Sequence, residues 1–129
     1  MNHKGLDHLA VAVSDTEEAL KVWRDRLGFP LLYSEVVNDG AVRLTHLDLG
    51  NTQLQLVEPL VEDHPLCAWL KEHGSGLHHF CLRVDDISES MAEEDSLAVG
   101  IPHQGTQGKK AIFLDKEVSG NVLVELTGA

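Results

Sequence analysis

Apolar and polar residues alternate in two similar stretches of the chain, over residues 6–13 and 77–84. Both stretches are rich in Val, Leu and Phe, and alternation of this kind is typical of half-buried β-strands. A helical pattern follows each stretch. The first helix is predicted over about residues 16–27, with Ser14 or Asp15 as its N-cap and Gly28 after its end.

The second helix follows the later strand. Asp85 or Asp86 is its expected N-cap, Ile87 and Met91 face inward, and Gly100 ends it. A further helix is predicted over residues 65–72. Turn signals rich in Gly, Asn and Asp separate the short strands that the pattern predicts over residues 31–37, 41–49, 52–58, 111–115 and 121–127.

The two halves of the chain resemble each other. Residues 5–15 match residues 76–86 at an offset of 71, and residues 54–56 match residues 124–126 at an offset of 70. Self-similarity of this kind indicates a duplicated module. The sequence therefore predicts an α+β fold in a single domain, residues 1–129, made of module one (about 5–60), a bridging helical segment (about 61–75) and module two (about 76–129).

The composition limits the class of partner. The chain has 21 acidic and 10 basic residues and a formal net charge of −11, which argues against nucleic acid or an anionic membrane as partner. No apolar run approaches the ~18 residues of a membrane span, and the first residues lack an apolar signal-peptide core. Cys67 and Cys81 form no metal-binding motif and are predicted to be buried thiols in a reducing cytoplasm, with a single disulfide as the alternative.

Four polar side chains lie on the strand faces opposite those that carry the apolar residues. Alternation along the first strand places His8 on the face opposite Val11. The same rule places Gln55, His79 and Glu125 opposite the apolar residues of their own strands. Each module thus contributes one histidine from its first strand and one Gln or Glu from its last strand.

Two imidazoles and two side-chain oxygens are a ligand set that suits a divalent transition metal. Four protein ligands leave two positions on an octahedral ion, where a substrate can chelate. His79 is preferred over its neighbour His78, which is in phase with Phe80 and is expected to point towards the helices. The alternative for each residue taken alone is a structural role in the core or on the surface.

Several segments resemble the vicinal oxygen chelate superfamily and, within it, the methylmalonyl-CoA epimerases. The resemblance rests on residues 7–13, 76–79, 84–87 and 122–126, with further similarity at 56–60, 68–70 and 108–114. It implies two βαβββ modules in a pseudo-twofold arrangement, which form a curved mixed sheet around a metal site with the helices on its outer face. It also implies a homodimer and a cobalt, manganese, nickel or zinc ion bound by His8, Gln55, His79 and Glu125.

The chain departs from the epimerase pattern where many members carry a Glu three residues past a glycine. Arg43 stands at that position after Gly40, and a guanidinium cannot act as a base at neutral pH. Arg43 is therefore expected to bind a substrate carboxylate, with a surface role as the alternative. By analogy with the related lactoylglutathione lyases, Glu125 is then expected to take the proton. A second departure is Asp115-Lys116-Glu117 in place of the usual His-Pro-Lys.

A glycine-rich loop carries Lys109 and Lys110 on an otherwise acidic chain. Its backbone N–H groups and two ammonium groups suit the phosphates of a CoA ester. The alternative is a solvent-exposed hairpin.

The first functional hypothesis is a metal-dependent, enolate-forming isomerase that acts on an acyl-CoA thioester, a methylmalonyl-CoA epimerase. The second is an isomerase of the lactoylglutathione lyase type that acts on a thiol hemithioacetal. Gln55 favours the first, because bacterial lyases tend to have Glu at that position. The third is a non-catalytic small-molecule-binding or drug-resistance protein of the same fold, against which the intact set of four ligands argues.

Overall fold

The computed structural model describes residues 3–92, 101–117 and 119–129. A π-helical segment over Lys21–Arg26 continues the first helix beyond Leu20, and a short 3₁₀ turn covers Thr106–Gly108. The regular elements in chain order are β1 (His3–Ala12), α1 (Thr16–Leu20), β2 (Leu31–Val37), β3 (Val42–Asp48), β4 (Gln53–Pro59), α2 (Pro65–His73), β5 (Gly76–Val84), α3 (Ile87–Ala92), β6 (His103–Gln104), β7 (Lys110–Phe113) and β8 (Val124–Gly128).

The order of elements confirms the predicted α+β fold with two βαβββ modules. One strand, one helix and three strands occur first as β1-α1-β2-β3-β4 and again as β5-α3-β6-β7-β8. The predicted strands lie within a few residues of the observed ones, and α2 extends one residue beyond the predicted helix. Strand β6 was not predicted, because its two residues are too few to show an alternating pattern.

The chain forms two compact units, one of residues 9–78 and one of residues 1–8 with 79–129. Strand β1 contributes residues to both. That the chain is one domain stays a prediction. Within the 9–78 unit the strands lie in the order β2-β3-β4-β1, and β2, β3 and β4 pair antiparallel. Within the other unit the order is β1-β5-β8-β7-β6.

Helices cover both faces of the sheet in the 9–78 unit. Helix α1 begins where Asp15 Oδ1 accepts a hydrogen bond from the backbone N–H of Glu18, which satisfies an otherwise unpaired N–H. Its Leu20 packs with Val11, Val13, Leu47, Leu54 and Leu56. On the opposite face, α2 contributes Leu66 and Leu70 to a second cluster with Ala10, Ala12, Val37, Val42, Leu44 and Val57. The face of Val11 and Val13 is therefore the one that α1 covers, as the alternation predicted.

The other unit contains a mixed sheet, because β5 and β8 pair parallel whereas β7 pairs antiparallel with both β8 and β6. Helix α3 is capped by Asp86, whose Oδ1 accepts from the backbone N–H of Glu89 at 2.9 Å. Ile87 of this helix is fully buried and packs with Val84, Ile112, Leu114, Val124 and Leu126. The predicted helix end at Gly100 lies outside the described residues.

Among the described residues, no helix is both long enough and apolar enough to cross a membrane. Cys67 and Cys81 are both free thiols, so the alternative of a disulfide is wrong. Cys81 is buried as predicted, whereas Cys67 is only half-buried.

Gly128 allows β8 to lie close to β5. A Cβ atom built on Gly128 would overlap the carbonyl oxygen of Val84, which is backbone and cannot rotate away. We expect Gly128→Ala to lower the free energy of unfolding by ~1–3 kcal/mol, the usual cost of overpacking. Gly76→Ala is the matched control, because no atom lies within 4 Å of a Cβ built there. Urea unfolding of the two variants measures the difference, and equal stabilities would contradict this account.

Candidate metal centre

Strand pairing places Glu125 at the middle of the mixed sheet. Glu125 of β8 lies opposite Cys81 of β5 on one side and opposite Phe113 of β7 on the other. Residues directly opposite each other on paired strands project to the same face. His79 lies two residues before Cys81 and therefore projects to this face as well.

His8, His79 and Glu125 form a buried cluster with three potential ligand atoms within 4.8 Å of one another. The Oε1 atom of Glu125 lies 3.3 Å from Nε2 of His79 and 3.6 Å from Nε2 of His8. The three residues are only 2%, 8% and 7% exposed. The two imidazole rings meet edge to face, with ring centroids 6.0 Å apart. Three of the four predicted ligands are therefore brought together.

The cluster fits a divalent metal ion. Imidazole nitrogen and carboxylate oxygen are preferred ligands of zinc, cobalt, nickel and manganese. Ligand atoms bound at roughly 2.0–2.2 Å in octahedral or tetrahedral geometry lie roughly 3–4 Å apart. The Glu125–His79 and Glu125–His8 separations of 3.3 and 3.6 Å fall in this range. These two separations are compatible with a single ion bound by the three side chains.

Asp7 orients His8 from behind. Asp7 Oδ1 lies 2.8 Å from Nδ1 of His8, and an ionised carboxylate can only accept, so Nδ1–H donates. The neutral ring then presents Nε2, the atom nearest Glu125, as its basic nitrogen. A carboxylate behind a histidine is the usual outer partner of a metal-bound imidazole.

Burial and charge act in opposite directions on this cluster. Burial by itself raises the pKa of Glu125, but close contacts with His103, His79 and His8 outweigh it and hold the pKa well below its usual value. Burial lowers the pKa of His8, but its contacts with Asp7 and Glu125 leave the pKa raised. Burial and the nearby charge of Glu125 both raise the pKa of the Cys81 thiol, so this residue stays a protonated thiol rather than a nucleophile.

Gln55 lies in the 9–78 unit, where it is buried and contacts His46. Gln55 of β4 and His46 of β3 are directly opposite each other and share a face. The Nε2 atoms of the two residues are 3.3 Å apart, and Nδ1 of His46 lies 2.8 Å from Oε1 of Gln53. Tyr33 stacks on the His46 ring at 4.4 Å. The ligand role of Gln55 stays a prediction.

The structure does not bring Arg43 to the face of Gln55. Arg43 lies opposite Glu58, and Oε1 of Glu58 accepts from the backbone N–H and the hydroxyl of Thr16 at the start of α1. Because successive residues of a strand alternate, Arg43 projects to the α1 side of the sheet and His46 to the other side. The binding of a substrate carboxylate by Arg43 stays a prediction, as does the ligand role of Gln55 on the opposite face. The spacing of Arg43 from Gly40 does not specify the strand face to which Arg43 projects.

Lys109 ends the turn between β6 and β7, and Lys110 is the first residue of β7. The turn is closed by the backbone N–H of Gly105, which donates to the carbonyl of Lys109 at 2.9 Å. Both lysines are exposed. Burial raises the pKa of Asp7, but its contact with His8 and the charges of His8, Lys109 and Arg83 bring it below the usual value. The charge of Lys109 therefore contributes to the lowered pKa of Asp7, the carboxylate that contacts His8 of the cluster.

His103 of β6 contacts the cluster, and the sequence did not reveal this contact. Its Nε2 atom lies 2.8 Å from Oε2 of Glu125. Only two residues form β6, so no alternation could have marked the side to which His103 projects. His78 packs against Trp69 of α2 with ring centroids 4.9 Å apart.

A family model described as the Glyoxalase/Bleomycin resistance protein/Dioxygenase superfamily matches residues 7–113. The chain belongs to this superfamily. The resemblance drawn from the sequence is thereby confirmed.

Similar superfamily members include epimerases. The chain is 38% identical over 131 residues to the mitochondrial methylmalonyl-CoA epimerase of Mus musculus, covering 96% of this chain and 72% of the relative. It is 33% identical to the ethylmalonyl-CoA/methylmalonyl-CoA epimerase of Cereibacter sphaeroides, covering 94% and 95%. A variant of Streptomyces coelicolor methylmalonyl-CoA epimerase, solved in complex with 2-nitronate-propionyl-CoA, superposes with a TM-score of 0.87 at 27% identity, covering 99% of each chain.

The opposite pKa shifts of Glu125 and His8 predict a pH window of stability in the metal-free protein. A lowered carboxyl pKa stabilises the fold above the ordinary value of 4.5, and this contribution is lost as the pH falls through the folded pKa. A raised histidine pKa stabilises the fold below the ordinary value of 6.5, and this contribution is lost as the pH rises through the folded pKa. Both contributions are complete between pH 4.5 and 6.5.

The measurement is the free energy of unfolding of the metal-free protein and of Glu125→Gln across pH. We expect the stability advantage of the wild-type chain to be greatest inside this window and to decline on both sides. An advantage that does not vary with pH would show that Glu125 and His8 do not interact as charges.

Proposed function

We propose that this chain is a divalent-metal-dependent methylmalonyl-CoA epimerase. The observation that carries the proposal is the buried cluster of His8, His79 and Glu125. Support comes from similarity to methylmalonyl-CoA epimerases along nearly the whole chain. The substrate class is an acyl-CoA thioester whose reacting carbon lies between a thioester carbonyl and a carboxylate.

His8, His79 and Glu125 are the proposed metal ligands, with Gln55 as the fourth. The donor set suits cobalt, manganese, nickel or zinc. A divalent ion bound there supplies Lewis acidity to the substrate oxygens, which lowers the barrier to removing the proton between the two carbonyl groups. Gln55 enters this set from the sequence repeat, since it matches the position of Glu125 in the second module.

The residues of the chain have distinct proposed roles. Asp7 keeps Nε2 of His8 directed towards Glu125. Glu125 is ionised at neutral pH because its pKa is low, and it is the proposed group that takes the proton from the substrate. Inversion at the carbon requires a second group that returns a proton to the opposite face. Lys109 and Lys110 are exposed cations proposed to bind CoA phosphates. The homodimer and the cytoplasmic location stay predictions.

The metal ligands can be tested by metal analysis of the purified chain. We expect about one divalent ion per chain in the wild type. His8→Ala and His79→Ala should lose the ion, because each removes one nitrogen ligand. His3→Ala is the matched control, because His3 is exposed at the start of β1. Full metal content in both ligand variants would contradict the proposed site, provided that circular dichroism shows all variants folded.

The reaction can be tested by incubating the metal-loaded chain with racemic methylmalonyl-CoA in deuterium oxide. We expect deuterium at the carbon between the two carbonyl groups, detected by mass spectrometry, well above the rate without protein. Glu125→Gln should keep the fold and abolish this uptake. Exchange by this variant at the wild-type rate would remove Glu125 from the mechanism.

Absence of deuterium uptake by the metal-loaded wild type would contradict the epimerase proposal. Activity on a glutathione hemithioacetal would then favour the lactoylglutathione lyase hypothesis. Binding of neither substrate class, together with an absence of metal, would favour the non-catalytic hypothesis.

A further inference from the structure

The carboxylate of Glu125 divides its two oxygens between different partners. Oε1 lies towards His79 and His8, at 3.3 and 3.6 Å. Oε2 lies 2.8 Å from Nε2 of His103. Because an ionised carboxylate can only accept, Nε2–H of His103 is the donor. The two oxygens of one side chain are thus in different surroundings.

His103 is itself held in place by Phe113. The two rings stack with centroids 5.3 Å apart and 23° between their planes. The other neighbour of Phe113 is His79, which meets it edge to face at 5.2 Å. Strand pairing supports this arrangement, because His103 lies opposite Ala111, and Phe113 lies opposite Glu125. All of these contacts lie within one compact unit.

The exposure of His103 differs from that of the three clustered residues. Its side chain is 34% exposed, whereas that of Glu125 is 9% exposed. His103 therefore lies between the buried carboxylate and solvent. A hydrogen-bond donor there can bind Oε2 of Glu125 and leave Oε1, the oxygen nearer His79 and His8, for a metal ion.

We propose that His103 is a positioning residue that binds Oε2 of Glu125, so that this carboxylate offers only Oε1 to the metal ion. The inference rests on the proposed metal centre. A carboxylate that binds through both oxygens occupies two coordination positions, whereas one that binds through a single oxygen leaves the second position open. His103 thereby preserves an open position for a substrate oxygen. Outer partners that fix a ligand's orientation commonly change metal affinity when they are removed.

The test compares Co²⁺ binding by the wild-type chain, His103→Ala and His103→Gln. A glutamine amide places a donor near the position of Nε2, so His103→Gln retains the hydrogen bond without the ring. We expect His103→Ala to raise the Co²⁺ dissociation constant by about 10–100-fold and His103→Gln to stay within about threefold of the wild type. The visible spectrum of bound Co²⁺ should shift in His103→Ala, because the carboxylate then changes its mode of binding. His73→Ala, which alters an exposed histidine of α2, is the control and should match the wild type.

The outcomes separate this inference from the proposed function. A wild-type chain that binds no Co²⁺ would overturn the metal centre and the inference with it. Wild-type binding together with an unchanged dissociation constant and spectrum in His103→Ala would overturn the positioning role alone. Equal losses in the Ala and Gln variants, with both folded by circular dichroism, would overturn the hydrogen bond as the cause and assign the effect to the stack on Phe113.

Discussion

An ionised carboxylate that is almost completely removed from water, that of Glu125, is the constraint around which the candidate site in the unit of residues 1–8 and 79–129 is arranged. Burying such a charge costs several kcal/mol unless it is paired. Here three imidazoles, from His8, His79 and His103, meet it at distances of 3.6, 3.3 and 2.8 Å. These histidines come from three different strands, so the carboxylate of β8 contacts side chains from β1, β5 and β6.

The same geometry prepares the site for a cation. Each of two potential ligands is held from behind by another side chain, His8 by Asp7 and Glu125 by His103. Support of this kind keeps ligand atoms in place and reduces the reorganisation that metal binding requires. An acidic cluster on a flexible surface would lack this property. The arrangement therefore supports the proposed metal centre in a superfamily that includes methylmalonyl-CoA epimerases similar to this chain.

In the 9–78 unit, the two faces of strand β3 carry different side chains and therefore different chemistry. Because Arg43 and His46 are three residues apart on β3, they project to opposite sides of the sheet. His46, which is buried, contacts Gln55 and stacks on Tyr33, whereas Arg43 shares its face with Glu58 near the start of α1. The alternation along Leu44, Thr45 and His46 contained this information, because it places His46 in phase with apolar Leu44. The spacing from Gly40 in the family pattern does not contain this information about the strand face.

The sequence by itself determined the two modules, the positions of most strands and the faces that carry His8, His79 and Glu125, because strand alternation is a local property that repeats in both halves of the chain. Only the tertiary structure decided which of these side chains meet. Glu125 lies beside Cys81 and Phe113 through pairing between strands that are distant along the chain, and His103 reaches it from a strand of two residues. Such distances depend on strand register, which no periodicity within a single segment can specify.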